Sequence, residues 1–305
     1  MRLTDPYGRP MESMRVAVTQ RCNLHCFYCH QEGELPDNNV EMTPEEIQRI
    51  VTVAAPFGVE NVKLTGGEPL VRNDITEIVS RIREVPGIKE VSMTTNGVLL
   101  AEHAECLKKF GLSRVNVSLD TLEPKRFAQI TGAAGMEAVL LGIEKAVEAG
   151  LQPLKVNMVL LKGVNEDEVS GMIDFVMQRG LILQIIELES PDEGELYKKY
   201  HAELDVVESY LKEKAESITV RRMHHRRKYR LPNGGEVEIV RPMHNTEFCR
   251  YCNRIRVTSD GRLKPCLFRN DNLVDILRPI REGASEETLK NLLLEAVQRR
   301  EPYFK

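Results

Sequence analysis

The chain has 305 residues, with 46 acidic against 42 basic side chains, a net charge of −4 and a pI near 6.1. Hydrophobic residues make up 42% and charged residues 29%, the make-up of an ordinary globular protein. No stretch approaches the roughly 18 apolar residues of a membrane span, and neither charge balance nor N-terminus points to nucleic acid, membrane or export, so a cytoplasmic protein is expected.

Along the chain, strand and helix signals alternate. Strands are expected at 14–19, 61–65, 90–94, 114–119, 155–160 and 183–188. A helix opens after Thr43, where Pro44 suits the first helical position and Glu46 completes a capping box; Ile47, Ile50, Val51 and Ala54 follow at helical spacing. The same start is expected at Asp74 with Glu77 (apolar face Ile75, Ile78, Val79, Ile82) and at Asn165 with Glu168 (Val169, Met172, Ile173, Val176). This alternation implies an α/β fold in which helices wrap a parallel sheet and ligands sit at the carboxyl ends of the strands; six units make an incomplete (β/α)6 barrel. Past residue 216 the pattern changes. RRKYRLPNGGEVEIV reads as a hairpin turning at Asn233 and Gly234, RIRVTSDGRLKPCLF as a second turning at Asp260 and Gly261, and a helix is expected over 286–300. The expected division is a partial barrel over 1–215 and a small C-terminal region over 216–305, packed on the barrel.

Six of the seven cysteines fall into two triads. Cys22, Cys26 and Cys29 form C-x3-C-x2-C after the first strand; Cys249, Cys252 and Cys266 form C-x2-C-x13-C in the C-terminal region. Cys106, in the helical run AEHAECLKKF, is left over and is expected to be a packing residue. Without an export signal, such triads point to metal ligation rather than disulfides. A structural zinc site needs four ligands, which His25 or His30 would complete in the first triad and His244 in the second. Three thiolates suit equally a cubane iron–sulfur cluster with one open iron. Spacing alone does not separate the two.

The run CNLHCFYC after a first strand, Thr65-Gly66-Gly67-Glu68-Pro69 ending the second and SLD at 118–120 on the fourth together resemble the motifs of the radical S-adenosylmethionine (SAM) superfamily. FCRYCNRIRVTSDGRLKPCLF, residues 248–268, is similar to the second-cluster segment of the GTP 3′,8-cyclase family, whose reaction begins molybdenum cofactor biosynthesis. The resemblance runs from about Arg15 to Phe268. It implies a lyase that converts GTP to (8S)-3′,8-cyclo-7,8-dihydroguanosine 5′-triphosphate, with SAM and two 4Fe–4S clusters as cofactors. It implies that Cys22, Cys26 and Cys29 hold the cluster that binds SAM, and that Cys249, Cys252 and Cys266 hold the cluster that binds the substrate. Tyr28, Gly66, Gly67, Glu68 and Ser118 would meet SAM; Arg15, Lys63, Thr94, Lys155, Arg254, Ile255 and Arg256 would meet GTP. An electron donor, hand-over of product to cyclic pyranopterin monophosphate synthase and a homodimer are compatible with the same resemblance.

Elementary chemistry supports parts of this. Glycines let backbone approach a ligand closely, Arg and Lys meet phosphates with charge-assisted hydrogen bonds, and strand alternation sends Arg254 and Arg256 to one face. Two positions depart from the family pattern: Gln184 stands where an arginine is common on the sixth strand, and the chain ends EPYFK rather than in Gly-Gly. The basic run RRMHHRRKYR, residues 221–230, reads as the exposed face of a hairpin beside an anionic substrate. Rival readings are a peptide-modifying radical SAM enzyme and a zinc-stabilised module binding RNA through that run.

Overall fold

Six strands, β1 (Ser13–Ala17), β2 (Asn61–Thr65), β3 (Glu90–Thr95), β4 (Arg114–Ser118), β5 (Lys155–Val159) and β6 (Ile182–Ile186), run parallel and pair in chain order in the computed structural model, which describes residues 3–35, 40–190 and 192–305. Between them lie α1 (Pro44–Ala54), α2 (Ile75–Arg83), α3 (Leu100–Lys109), α4 (Pro124–Thr131), α5 (Met136–Glu148) and α6 (Val169–Gln178). The helices bury the stripes their periodicity implies: Ile47, Ile50, Val51 and Ala54 on α1, and Ile75, Ile78, Val79 and Ile82 on α2. Cys106 departs from expectation. Leu100, Ala104 and Leu107 form the buried stripe of α3, and Cys106 falls on its exposed side.

Thr43 and Glu46 make the capping box, Thr43 Oγ1 accepting from the Glu46 N–H at 3.2 Å and the Glu46 carboxylate accepting from the Thr43 N–H at 2.8 Å. The other two starts differ. Asp74 is held by the Arg72 guanidinium at 2.6 and 2.8 Å and caps nothing with its side chain. Asn165 accepts from the Leu161 N–H at 2.8 Å and donates to the carbonyls of Asp120 and Val159 at 2.8 and 2.9 Å. Glu168 turns to Thr121, Leu122 and Arg126. Backbone groups at the ends of β4 and β5 claim Asn165, the Leu122 N–H and the side chains of Thr121 and Arg126 claim Glu168, and α6 starts only at Val169, after a short 3-10 turn.

The pleat sorts the two sheet faces. Met14, Val62, Leu64, Val91, Met93, Val115, Val117, Val156, Met158, Leu183 and Ile185 are buried in the core, while Arg15, Lys63, Thr94, Asn116, Asn157 and Gln184 line one cavity. That polar face is concave, because side chains two strands apart meet: Lys63 donates to Asn116 Oδ1 at 3.1 Å, and Asn116 donates to Gln184 Oε1 at 3.1 Å.

The rest of the chain forms α7 (Glu195–Tyr200), α8 (Asp205–Lys214), β7 (Ser217–Val220), β8 (Arg227–Arg230), β9 (Glu236–Val240), α9 (Thr246–Arg250), β10 (Arg254–Val257), β11 (Arg262–Lys264), β12 (Val274–Asp275), α10 (Leu277–Arg281) and α11 (Glu286–Gln298). Both expected hairpins form, β8 with β9 and β10 with β11. They extend the sheet itself: β9 pairs parallel with β6 and β10 parallel with β1, giving the order β12-β11-β10-β1-β2-β3-β4-β5-β6-β9-β8-β7. The tip between β7 and β8 reaches across to the elements around β10. There the His224 N–H donates to the Tyr251 carbonyl at 3.0 Å, its ring stacks on Phe248 at 3.8 Å, and Arg254 meets Met223 Sδ at 3.5 Å.

Candidate active site

The concave face, the β7–β8 tip and the residues around β10 enclose a cavity of about 460 Å³. Cys249, Cys252 and Cys266 line it, whereas the first triad reaches it only through Tyr28, His30 and Glu32 of its loop, and the topology sets the two triads at opposite ends of β1. Cys22, Cys26 and Cys29 follow the carboxyl end of β1. Cys252 lies two residues before β10, whose first residue, Arg254, is level with Ser13 at the amino end of β1. β11 runs antiparallel to β10 and returns Cys266 to that same end.

The first triad's loop is fixed by the Gly-Gly pair. The Gly67 N–H donates to the Thr19 carbonyl at 2.7 Å and the Glu68 N–H to the Arg21 carbonyl at 2.9 Å. A Cβ on Gly66, whose φ is +143°, would lie 2.3 Å from the Thr19 oxygen, and one on Gly67 would lie 2.2 Å from that of Arg21. The close approach that demands glycine is therefore made by the cysteine loop itself, where the sequence suggests a ligand. Glu68 is 1% exposed and hydrogen-bonded on both oxygens, by the Leu70 N–H (3.0 Å), Thr95 Oγ1 (2.7 Å) and the Asn96 N–H (2.6 Å). Burial raises its pKa to about 7 against those bonds. Its carboxyl thus ties the β2 loop to the β3 loop. Tyr28 donates to Asp120 at 2.5 Å beside the triad, and burial lifts Asp120 to about 6 although that bond opposes it. Ser118 ends β4, half-buried, level with Asn157.

Burial raises the pKa of Cys22, Cys29, Cys249 and Cys266, and that of Cys26 to about 12, against the N–H donors that most of them meet. N–H groups two residues on donate to Cys22 (Leu24, 3.4 Å) and Cys29 (Gln31, 3.4 Å), and the N–H groups of Arg254 and Phe268 likewise meet Cys252 and Cys266. Cys249 is met by the N–H groups of Tyr303 and Phe304, so the C-terminal EPYFK segment closes on the second triad, and Glu301 and Tyr303 line the cavity. Burial opposes ionisation of Cys252, yet Arg300 and Arg254 beside it draw its pKa below the usual thiol range. Such donors fit thiolate ligands of an iron–sulfur cluster. Among the described residues no group of three or more His, Cys, Asp or Glu is disposed to hold a single metal ion. His30 faces Glu189 at 3.7 Å and His244 pairs with Glu193 at 2.8 Å.

Nine Lys or Arg side chains line the cavity against five Glu. Arg15 and Arg256 converge on Glu32 at 3.2 and 2.8 Å, and their charge outweighs burial and holds that carboxyl at about 2. Lys155 pairs with Glu238 at 2.5 Å. Lys63 has no carboxylate partner among the described residues, and burial together with Arg114 and Arg15 pushes its pKa well below the lysine range. Arg254 likewise has no carboxylate partner among the described residues and donates to Met223 Sδ. Arg254 and Arg256 share the cavity face as alternation implies; Ile255 between them is 0% exposed with its side chain in the core, leaving only its main chain to a ligand. Thr94 lines the cavity from β3.

Some lining residues are not marked by any sequence signal used above: Arg114, Asn116, Asn157 and the buried carboxylate Glu238 behind them. The basic run at 221–230 is divided rather than wholly exposed. Arg222 and Arg227 are 71% and 50% exposed, whereas Arg221, His224 and Arg226 face the cavity. Gln184, uncharged, donates to Glu238 at 2.5 Å, and the charge at that corner comes from Lys155, Arg221 and Arg226.

Comparison with known proteins agrees with this layout. Residues 16–176 match the model of the radical SAM superfamily, and 181–305 match that of the molybdenum cofactor synthesis C-terminal domain. A probable GTP 3′,8-cyclase of Thermococcus kodakarensis is 50% identical over 309 residues, spanning 99% of this chain and 100% of that protein. One from Pyrococcus abyssi is 49% identical over 308 residues, spanning 99% of each. Among solved structures, Streptococcus suis SuiB bound to its precursor peptide SuiA has a similar fold, with a TM-score of 0.65 at 19% identity over 90% of this chain; the match spans 65% of that longer chain.

Proposed function

From the premise that this chain belongs to the GTP 3′,8-cyclase family of the radical SAM superfamily, we propose that it converts GTP to (8S)-3′,8-cyclo-7,8-dihydroguanosine 5′-triphosphate, the first step of molybdenum cofactor biosynthesis. The observation that carries the reading is a cavity lined by nine Lys or Arg side chains and by the second thiol triad, with Lys63 and Arg254 lacking a carboxylate partner among the described residues. The family implies SAM and a 4Fe–4S cluster, which Cys22, Cys26 and Cys29 would hold, and which together supply the one-electron cleavage of SAM that begins the reaction. Cys249, Cys252 and Cys266 would hold a second 4Fe–4S cluster next to the guanine.

The chain's own residues then have distinct tasks. Gly66, Gly67 and Glu68 fix the loop at which SAM binds, with Tyr28 and Ser118 beside it. Arg15, Lys63, Thr94, Lys155, Arg254, Arg256 and the main chain at Ile255 receive GTP, the cations stabilising its triphosphate in a site shielded from water, where charge-assisted bonds are strongest. Residues 1–215 carry the SAM half of the site and share the substrate half with 216–305, which adds the second triad, Arg254, Ile255 and Arg256. An electron donor, cyclic pyranopterin monophosphate synthase as acceptor of the product, a homodimer and a cytoplasmic setting complete the reading; among the described residues no helix is long and apolar enough to cross a membrane.

The test is anaerobic reconstitution with iron and sulfide, then incubation with SAM, reductant and GTP, with the product's mass and connectivity determined. A cyclised nucleotide is expected. Stoichiometric zinc in natively purified protein, or SAM cleavage with GTP untouched, overturns the assignment.

A further inference from the structure

The β7–β8 tip brings one more guanidinium to the cavity than the residues assigned above. Arg226 lines the cavity with a side chain only 12% exposed. Among the described residues it has no hydrogen-bond acceptor: its nearest carboxylate, Glu238, lies 3.7 Å away, and its Nε is buried without a partner. The reason is competition. Glu238 already accepts from Lys155 at 2.5 Å, from Gln184 at 2.5 Å and from Arg221 at 3.1 and 3.2 Å, which uses the lone pairs of a carboxylate. A guanidinium offers five donors in a planar fork, and leaving them unused in a buried place is costly unless a ligand supplies the acceptors. Two neighbours show that the placement is specific. Arg222 is turned outward to Glu12 and Arg227 to Glu208, while Arg226 points inward between them. His224, in the left-handed region at φ +62°, makes the turn that does this, anchored by its bond to Tyr251 and its stack on Phe248.

We propose that Arg226 is a polyphosphate ligand of the substrate, its free fork binding phosphate oxygens beside Lys155, with Arg221 held behind by Glu238 as a supporting charge. This rests on the reading that the cavity receives a nucleoside triphosphate, and adds to it a specificity residue outside the positions matched to the family. Arg226 discriminates nucleotides by phosphate content and contributes nothing to recognition of the base.

The test measures affinity for GTP and for guanosine in the reconstituted protein, anaerobically with SAM bound, for the unaltered chain and for Arg226→Ala, Arg226→Lys and Arg222→Ala. Inorganic tripolyphosphate serves as a competitor without a base. The unaltered protein and Arg222→Ala should prefer GTP strongly over guanosine. Arg226→Ala should lose about ten- to a hundredfold in GTP and tripolyphosphate affinity, the worth of a charge-assisted contact, with guanosine affinity unchanged. Arg226→Lys, keeping charge but not the fork, should fall between. Equal losses for GTP and guanosine, or an unchanged ratio in a variant with full iron content and an unaltered melting temperature, overturn the proposal. A failure of the unaltered protein to prefer GTP over guanosine overturns instead the reading on which it rests. If Arg226→Ala does not fold, Arg226→Lys decides by the same ratio.

Discussion

Lys155 and Glu238 are 7% and 0% exposed, so the fate of one proton affects that whole corner of the cavity. Burial draws Lys155 down to about 8 although Glu238 opposes it, while Lys155, Arg226 and Arg221 hold Glu238 at about 2 against its own burial. Glu238 thus stays ionised through any working pH, and Lys155 is the group that titrates. Below about pH 8 Lys155 is charged and attracts a polyanion; above it the free protein loses that proton, and binding must take it back. GTP affinity should therefore fall as pH rises above about 8, by up to roughly tenfold per unit, with uptake of about one proton. Calorimetry in buffers of different ionisation enthalpy reads both, and Lys155→Arg should flatten the profile; a flat profile in the unaltered protein counts against Lys155 as a phosphate ligand. A second residue acts behind the other triad. Arg300, 1% exposed, donates to the Cys252 carbonyl at 2.8 Å and lies 3.4 Å from Asp5, which Arg9 shares while binding the Cys249 carbonyl at 3.0 Å. Arg300→Met should cost about 1 to 3 kcal/mol, since it leaves the buried Cys252 carbonyl without its donor while Asp5 keeps Arg9, and should lower iron retained at the second triad; thermal melting and iron analysis check both. The grouping of six cysteines into two triads was legible in the sequence, and the members of each triad lie near one another in the fold. Arg9, Arg300 and Glu238 were not legible, nor was the inward turn of Arg226 within the basic run expected to be exposed, because these placements come from convergence of segments up to 291 residues apart, as when Arg300 donates to the carbonyl of Arg9.

The loop between β1 and α1 and the turn after β2 form a single mechanical unit. Gly67→Ala tests this, since its Cβ would fall 2.2 and 2.5 Å from two carbonyl oxygens of the cysteine loop, backbone atoms that cannot swing aside like a flexible side chain. The loop must move, and the first triad with it. Iron content should drop toward half and SAM cleavage should fall at least tenfold, while GTP affinity, set on the opposite side of the cavity, changes little. Unaltered iron content and SAM cleavage would show that the loop tolerates the shift. At this scale the sequence was informative where interactions are local. The Thr43 box and both hairpins formed, because their partners lie within a few residues of one another. Asn165 misled for the complementary reason: its side chain is drawn to Leu161, Asp120 and Val159 at the strand ends, and residue 120 lies far outside any helix-start pattern.

Across the whole molecule, β1 joins the two chemistries, leading at its carboxyl end to the first triad and pairing along its length with β10, which starts at the second. The repeat of strand and helix was enough to imply parallel order and helical wrapping, but it carried no sign that β9 and β10 add to both sides of the six-stranded run, since that depends on pairing between residues as distant as Ser13 and Arg254. This layout predicts that the two halves of the reaction are separable. Replacing Cys22, Cys26 and Cys29 together by Ala should reduce iron from about eight to about four per chain, two cubanes to one, and abolish SAM cleavage. GTP binding should survive, because Lys63, Lys155, Arg254 and Arg256 are anchored on strands that the change does not touch. Replacing Cys249, Cys252 and Cys266 should leave about four irons and slow SAM cleavage by added reductant, but weaken GTP binding and eliminate the cyclised product. Parallel measurement of iron, SAM cleavage, GTP affinity and product in the two triple variants separates the outcomes. If the second variant still cyclises GTP, that triad is structural and the substrate meets only the cationic walls; if the first loses GTP binding as well, the two ends of the cavity are coupled through β1 rather than independent.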